Sequence, residues 1–346
     1  MPDDIRQSPL HHPFEAVPDP GQAIQVADGI YWIRMPLPFA LNHINLWLLE
    51  DGDGWTIVDT GLANDDTKEL WRAQFDGPMG GKPVNRVIVT HFHPDHVGNA
   101  GWLAEVCKAP VWMSRTEWLM HQMLYMDDRA AFHLAQVDAY EEAGLGTEWT
   151  EPLRKAGNVY GERVGQAPTS YVRLRQDDEI EIGGRIWRVI VGVGHAPEHA
   201  CLYCPSLNVL ISGDQILPRI TPNISLWAND TGGDPLGDYL DSLAQFNTLP
   251  ADILVLPSHG LPFTGLHARV EQLAEHHEDR LADIVAACDT PKTATDLLPV
   301  LFKRELDLHQ IGFAMGEALA HLVHLTIKDR LKENRGQNGP VTFERP

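Results

Sequence analysis

Short apolar runs separated by turn residues dominate the first part of the chain. Four of them precede the first helical pattern: 24–26, 30–33, 44–49 and 55–58. Residues 51–54 read Asp-Gly-Asp-Gly, which is a hairpin turn signal between the last two runs. The pattern then predicts a helix over 63–75 and a further strand over 84–90. We therefore expect several antiparallel strands before the first long helix.

Four apolar runs are each followed by residues of the kinds that bind metal ions. The run over 87–89 leads into the sequence Thr-His-Phe-His-Pro-Asp-His of residues 90–96. Three later runs, over 189–193, 209–211 and 253–256, lead to His195, Asp214 and His259. In an α/β sheet the binding crevice lies at the carboxyl ends of the strands. Each residue taken singly is more often structural, but together they predict a site at one sheet edge.

The spacing inside residues 90–96 itself indicates a metal site. His91 and His93 are two apart on an extended segment, so their side chains point the same way. Asp95 and His96 lie where the chain turns into the next helix, and they can face a second ion beside the first. Neutral imidazoles and a carboxylate suit Zn(II), Fe(II) or Mn(II). The alternative is a polar turn that is rich in histidine by chance, and this spacing makes that rare.

These segments resemble the metallo-β-lactamase superfamily, in particular its glyoxalase II-like or lactonase-like hydrolases. Five motifs carry the resemblance: Val58 to Gly61, Thr90 to His96, Gly194 to His199, Ser212 to Asp214 and Ser258 to Gly260. The similarity spans about residues 24 to 262. It implies an α/β fold of the αββα sandwich type with the metal ions at one edge.

The resemblance also implies which residues bind metal. The expected set has seven ligands: His91, His93 and His195 on one ion, Asp95, His96 and His259 on the other, and Asp214 bridging the two. Asp59 would hold a ligand in position without binding metal itself. His199 is expected to be structural beside the ligands, with proton donation to the leaving group as the alternative. The cofactors would be two divalent ions, with Zn(II) favoured and Fe or Mn as alternatives.

A hydrolytic reaction follows from such a site. Hydroxide that bridges two ions forms near neutral pH and attacks a carbonyl or phosphoryl group. Asp95 is the candidate catalytic residue, because it can orient the nucleophile and relay its proton. The predicted function is hydrolysis of a thioester, ester, lactone or related bond in a small molecule.

Other reactions of the same superfamily are the competing interpretations. An iron-dependent persulfide dioxygenase uses a single metal and fewer ligands. A nuclease or phosphodiesterase is a further alternative. A flavin-coupled oxygen reductase would carry Glu at the position of His93 and need a flavin domain. β-Lactam hydrolysis is disfavoured, because those enzymes are usually exported and no export signal is evident.

Residues 114–168 depart from the strand rhythm and predict a helical insertion of about fifty residues, longer than a usual connection. Ser114 and Glu117 have the spacing of a capping box. We interpret the insertion as a lid over the substrate pocket, with a helical hairpin of no function as the alternative. Arg219 lies close in sequence to Asp214 and is predicted to bind an anionic part of the substrate, although a surface salt bridge explains it equally well.

The chain divides into three predicted parts. Residues 1–22 are rich in proline and predict an extended lead-in, 23–264 a catalytic domain and 265–346 a helical domain. Three helices and a strand near 340–343 give the last part a resemblance to a winged-helix domain, and packing or homodimer formation is its expected role. His276 and His277 are expected to be solvated there. Three other histidines of this part are expected to be structural: His309, His321 and His324.

Composition narrows the partners. Hydrophobic residues make up 43% and charged residues 22% of 346, as in an ordinary soluble globular protein. The sequence has no uninterrupted apolar window of about 18 residues, so we do not expect a membrane span. The acidic N-terminus is unlike a secretory signal, so we expect a cytoplasmic protein. A formal charge of −21 makes nucleic acid and anionic membranes poor partners. A small molecule is therefore the expected partner.

Overall fold

The computed structural model describes residues 10–336 and 339–346. Residues 1–9 of the predicted lead-in lie outside the described residues. The rest of that segment has no helix or strand of its own, and a single bridge joins His11 to Thr264. This contact ties the lead-in to the segment that follows the last strand of the second sheet.

The first sheet has seven strands that follow one another in chain order. They are β1 Ile24–Ala27, β2 Ile30–Pro36, β3 His43–Asp51, β4 Gly54–Val58, β5 Val84–Ile88, β6 Val111–Ser114 and β7 Val172–Leu174. Neighbours from β1 to β4 pair antiparallel, and neighbours from β4 to β7 pair parallel. The expected antiparallel strands before the first long helix are thus observed.

The second sheet has five strands in the order β12-β11-β10-β9-β8. They are β8 Glu179–Ile182, β9 Arg185–Gly192, β10 His199–Cys204, β11 Val209–Gly213 and β12 Leu254–Pro257. All neighbours pair antiparallel except β11 and β12, which pair parallel. Trp32 and Trp47 of the first sheet share one buried cluster with Trp187 and Leu202 of the second, so the two sheets pack face to face.

Helices cover the outer face of each sheet and complete four layers. On the first sheet lie α1 Asp65–Asp76, α2 Pro94–Val97 and α3 Ala100–Cys107, and on the second lie α8 Pro235–Leu243 and α9 Leu266–Ala287. A short 3-10 helix, Ala244–Thr248, follows α8. Strand β3 is buried on both faces: Leu46 packs toward the helices and Trp47 toward the other sheet. This burial explains its unbroken apolar run.

The predicted helical insertion lies between β6 and β7. It consists of α4 Arg115–Tyr125, α5 Ala131–Glu142, α6 Thr147–Ala156 and α7 Val159–Arg163. The predicted capping box at its start is wrong. The Ser114 hydroxyl donates to the backbone oxygen of Glu198 at 2.7 Å, and the Glu198 carboxylate accepts the N–H of Thr116 at 2.7 Å. Tertiary partners have replaced the local cap.

The last part of the chain contains α10 Ala294–Leu301 and α11 Leu308–Ile327, followed by β13 Lys332–Asn334 and β14 Thr342–Glu344, which pair antiparallel. Its likeness to a winged helix stays a prediction. The expectation for His277 is wrong, because this residue is fully buried and its Nδ1 lies 3.2 Å from His321 Nε2. Within the described ranges, no helix is both long and apolar enough to cross a membrane.

Candidate metal centre

Loops at one edge of the two sheets bring the predicted ligands together. Residues 91–96 follow β5, and His195 lies in the turn between β9 and β10. Asp214 directly follows β11, and His259 comes two residues after β12. The backbone N–H of Ser258 donates to Gly213 at 3.1 Å, which ties the last two loops to each other. Residues up to 168 positions apart in sequence therefore meet in one place.

The side chains form two adjacent groups, and within each group the ligand atoms lie within 4.8 Å of one another. One group is His91, His93, His195 and Asp214, and the other is Asp95, His96 and His259. Asp214 reaches both, because its Oδ2 lies 3.5 Å from His195 Nε2 and its Oδ1 lies 3.4 Å from His259 Nε2. All seven predicted ligands are thus present in this arrangement, with Asp214 between the two groups.

Four histidines share an orientation in which Nδ1 is held by a group outside the centre. The pairs are His91 with Thr90 Oγ1 at 3.0 Å, His96 with Asp59 Oδ2 at 2.8 Å, His195 with the Asn223 oxygen at 2.8 Å and His259 with the His43 oxygen at 2.8 Å. Such contacts fix the ring and leave Nε2 as the free ligand atom. The Nε2 atoms of His91 and His195 accordingly lie only 3.3 Å apart.

Two buried atoms inside the centre lack a hydrogen-bond partner within the described part of the chain. They are His96 Nε2 and Asp214 Oδ1, which lie 3.5 Å from each other. A buried polar atom without a partner costs free energy, so native proteins rarely contain one unless another group satisfies it. A divalent cation accepts electron pairs from both atoms, and the residues present therefore fit a metal site.

The electrostatics of two histidines of the centre, His96 and His259, point the same way. Burial acts to lower the pKa of His96, but the carboxylates of Asp95, Asp214 and Asp59 outweigh burial and raise it well above the usual range. Burial also opposes the charged form of His259, yet Asp214 and Asp95 raise its pKa to about 10. The negative potential that holds protons on these rings favours a bound cation equally.

Asp59 and His199 lie directly behind the ligands. The Asp59 carboxylate contacts His96 Nδ1 and accepts the backbone N–H of Thr90 at 2.8 Å. Its φ of 62° is left-handed, a conformation that Asp adopts more readily than most residues. His199 Nε2 accepts the backbone N–H of Asp214 at 3.1 Å, and its ring stacks on that of His91. Both are placed to hold ligands, and neither belongs to the two ligand groups.

The insertion contributes two supports that sequence reasoning missed. The buried carboxylate of Glu117 accepts the N–H of Phe92 at 2.9 Å and that of Glu198 at 2.6 Å, so it joins the two ligand loops. Burial raises the pKa of Glu117 to about 8. The Tyr160 hydroxyl donates to the Phe92 oxygen at 2.7 Å. No local signal predicts these contacts, because the partners are distant in sequence.

Helix α11 supports residues 223–226, a segment that contacts the His195 ring through the backbone oxygen of Asn223. Asn223, whose backbone oxygen accepts from His195, also accepts the Ser225 hydroxyl at 2.6 Å through its side chain. The Leu226 N–H donates to the Gly316 oxygen at 3.1 Å, which fixes this loop on α11. A Cβ atom on Gly316 would lie 2.6 Å from Ser225 Oγ, so only glycine allows this approach. Helix α11 thus reaches a ligand through one intermediate loop.

Arg219 is exposed, as is the following Ile220. No hydrogen bond or ion pair of its side chain occurs within residues 10–336 and 339–346. The backbone oxygens on either side of it are held instead, because Arg269 donates to those of Leu217 at 2.6 Å and Ile220 at 2.8 Å. The role predicted for Arg219 in substrate binding stays a prediction.

Comparison with known proteins identifies the relatives of this chain. A crystal structure of a beta-lactamase domain protein from Burkholderia ambifaria is 41% identical, covers 97% of this chain and 98% of its own, and superposes with a TM-score of 0.90. A probable metallo-hydrolase, YqjP, from Bacillus subtilis is 26% identical over 85% of this chain and 91% of its own length.

Two further relatives have names that state an activity. A linear primary-alkylsulfatase from Pseudomonas is 28% identical over 68% of this chain and 45% of its own length. The acyl-coenzyme A thioesterase MBLAC2 from Bos taurus is 26% identical over 55% of this chain and 64% of its own length. The chain thus matches only part of each of these two proteins.

Family models match most of the chain. The model described as the metallo-beta-lactamase superfamily matches residues 41–259, and one described as the metallo-beta-lactamase-like C-terminal domain matches residues 281–346. The first range contains all seven residues of the centre, and the second contains α11. With the four-layer fold and the histidine and aspartate cluster at its sheet edge, this chain belongs to the metallo-beta-lactamase superfamily.

Proposed function

We propose that this protein is a dinuclear metal-dependent hydrolase that cleaves an ester-type bond in a small molecule, such as a thioester, an ester or a lactone. One observation carries the proposal. Seven side chains converge as two adjacent ligand groups that share Asp214, and two buried ligand atoms there have no hydrogen-bond partner in the described part of the chain.

We assign one cation to His91, His93 and His195, the other to Asp95, His96 and His259, and Asp214 to both. Zn(II) is the proposed metal, with Fe and Mn as the alternatives, because the donors are imidazoles and carboxylates without a thiolate. Two such ions supply a hydrolytic nucleophile at neutral pH and polarise the bond that is cleaved.

Asp95 is the proposed catalytic residue. Its side chain is 19% exposed, whereas that of His96 is completely buried, so its carboxylate faces the open side of the centre. Its Oδ2 lies 3.4 Å from His259 Nε2, which fixes the carboxylate in place. From this position Asp95 accepts a proton from the attacking water and returns it to the leaving group. Asp59 and His199 keep His96 and Asp214 oriented during this transfer.

The relatives support a small-molecule substrate with an acyl or alkyl group. One is named an acyl-coenzyme A thioesterase and another a linear primary-alkylsulfatase, so a sulfate ester joins the thioester as a substrate class to test. The formal charge of −21 disfavours the nuclease alternative. A persulfide dioxygenase stays the alternative from another reaction class. The division at residue 264, the cytoplasmic location and the homodimer stay predictions.

The test combines metal analysis with a substrate panel. Purified protein is quantified for Zn, Fe and Mn and assayed with thioesters, alkyl sulfates, lactones, aryl esters and phosphodiesters. We expect two equivalents of metal and hydrolysis of at least one carbonyl or sulfate ester. His93→Ala should abolish this hydrolysis, and His11→Ala, which changes an exposed histidine, should not. One equivalent of iron with oxygen consumption on persulfide would overturn the proposal.

A further inference from the structure

Arg163 lies at the end of α7, beside the helix that carries Asp95 and His96. The N–H of Ala63 donates to the Arg163 oxygen at 3.2 Å, and the N–H of Gly165 donates to the Gly98 oxygen at 2.8 Å. These two bonds hold the residues around Arg163 against the segment that follows α2. The arginine is therefore anchored by its backbone next to the open side of the metal centre.

The guanidinium of Arg163 has aromatic neighbours. Its Cζ lies 5.0 Å from the ring centroid of Phe39, in the loop between β2 and β3. The Phe39 ring in turn lies 5.0 Å from that of His309, in the first turn of α11. The His309 ring lies 5.2 Å from that of Phe313. Side chains of the insertion, the β2–β3 loop and α11 are therefore in continuous contact. We call this group the rim; its members are Arg163, Phe39, His309 and Phe313.

Arg163 carries a positive charge that has no ion-pair partner among the described residues. The chain has 48 acidic and 27 basic residues, so an arginine readily finds a carboxylate. The side chain of Arg163 nevertheless makes no ion pair or hydrogen bond with any residue that the structure describes. Glu162 and Asp95 act on it only over a longer distance. The side chain is half-buried, and a cation in that position is normally paired.

We propose that Arg163, backed by Phe39 and flanked by His309, binds an anionic group of the substrate, which is a carboxylate, sulfate or phosphate. The planar guanidinium donates two parallel hydrogen bonds to an oxyanion, and the Phe39 ring holds its plane. The inference rests on the proposed function in one respect. In that function Asp95 would hold a cation, so its carboxylate would not be available to pair with Arg163.

His309 contributes to this subsite as a neutral donor. Burial, followed by the nearby positive charge of Arg163, lowers its pKa from the ordinary value, whereas Asp307 acts in the opposite direction. This shift favours the neutral ring, which offers one N–H to an oxyanion. Because Arg163 comes from the insertion and His309 from α11, both regions added around the sandwich take part in substrate selection.

The test compares two thioesters of equal chain length, one with a terminal carboxylate and one without. In metal-loaded protein, Arg163→Gln should raise KM for the anionic thioester by about 10- to 100-fold and leave KM for the neutral one unchanged. Arg163→Lys keeps the charge but loses the planar pair of N–H donors. Its KM for the anionic thioester should lie between those of wild type and Arg163→Gln. The matched control is Arg129→Gln, an exposed arginine of the insertion that should change neither KM.

A direct titration separates this inference from the proposed function. Inorganic sulfate, inorganic phosphate and acetate are titrated calorimetrically into wild-type protein and Arg163→Gln, which requires no turnover. Weaker binding of at least one anion to the variant, with unchanged metal content, supports the subsite even if no ester is cleaved. Equal losses for neutral and anionic thioesters, or an anion-specific loss in Arg219→Gln instead, would overturn it.

Discussion

The protein contains two clusters of buried histidines that differ in kind. In the metal centre, the Nε2 atoms of His96 and His259 face carboxylate oxygens of Asp95 and Asp214. In the second cluster, between α9 and α11, His277 Nδ1 lies 3.2 Å from His321 Nε2, and His321 Nδ1 lies 2.8 Å from the Glu317 backbone oxygen. Among the described residues, only the first cluster assembles a ligand set.

Burial lowers the pKa of His91, His93 and His195 in the metal centre, as it does in the second cluster. His96 and His259 differ, because their pKa values are raised. Carboxylates raise the pKa of His259 to about 10 despite its burial. Burial lowers the pKa of His277 to about 3 and that of His321 to about 4, and neighbouring positive groups add to this. Buried histidines in close contact are therefore not sufficient for a metal site. The metal centre differs from the second cluster because carboxylate oxygens and free ring nitrogens point to the same place.

The largest expected effect comes from comparing one variant in each cluster. His195→Ala removes a proposed ligand, so we expect metal content to fall and hydrolysis to drop roughly a thousandfold. His321→Phe fills a buried site with an apolar ring and should lower thermal stability without changing metal content. Metal analysis and thermal unfolding of both variants provide the measurement. Loss of metal in His321→Phe would contradict the distinction.

A smaller effect on metal affinity is expected from Asp59, which contacts the proposed ligand His96. Asp59→Asn keeps a residue that tolerates the φ of 62° but removes the charge that holds His96. Metal affinity should fall about 10- to 100-fold, as measured by competition with a chelator. Asp177→Asn is the matched control, because this exposed aspartate has a φ of 63°. An unchanged affinity in Asp59→Asn would show that the carboxylate does not steer His96.

The contact between α11 and residues 223–226, which hold His195 through the Asn223 backbone oxygen, gives a third test. Gly316→Ala places a Cβ against Ser225, and the resulting overpacking should destabilise the protein by about 1–3 kcal/mol. Because Asn223 shares this loop, metal affinity should fall as well. Gly312→Ala on the same helix meets only Tyr140, at 4.0 Å, and should be neutral or stabilising. Equal behaviour of the two variants would refute the coupling.

The second cluster should appear in the pH dependence of stability. Unfolded histidines take up protons below about pH 6.5, whereas folded His277 does not until about pH 3, so the free energy of unfolding should decrease as the pH falls below 6.5. Urea unfolding of metal-free protein measures this decrease. His277→Phe should reduce it by about 1 kcal/mol between pH 6.5 and 5.5. A steeper decrease in the variant would have the wrong sign.

Local patterns predicted much of the framework. The apolar runs located the strands around the centre, and the turn signal at 51–54 located the hairpin between β3 and β4. The spacing of His91 and His93, and the resemblance of the later motifs, led to seven residues that do meet in space. These signals worked because strand periodicity and short motifs depend on residues close together in the chain.

Contacts between distant segments were beyond such patterns. Glu117 and Ser114 had the spacing of a local cap, yet both bind the segment around residue 198. His277 lies in a helix with many polar residues and was expected in solvent, but it is buried opposite α11. The oxygen that orients His259 belongs to His43, 216 positions away. No window along the chain contains both members of such a pair.

By itself, the sequence determined the order of the elements, the residues that end each strand and the donor types available for a cation, because these are properties of short segments. Tertiary structure alone decided which nitrogen of each histidine faces inward, which backbone oxygens hold the rings, and that Arg163 lies beside the centre. Packing between separate layers sets those features, and a ring orients toward whichever partner the fold brings within hydrogen-bond distance.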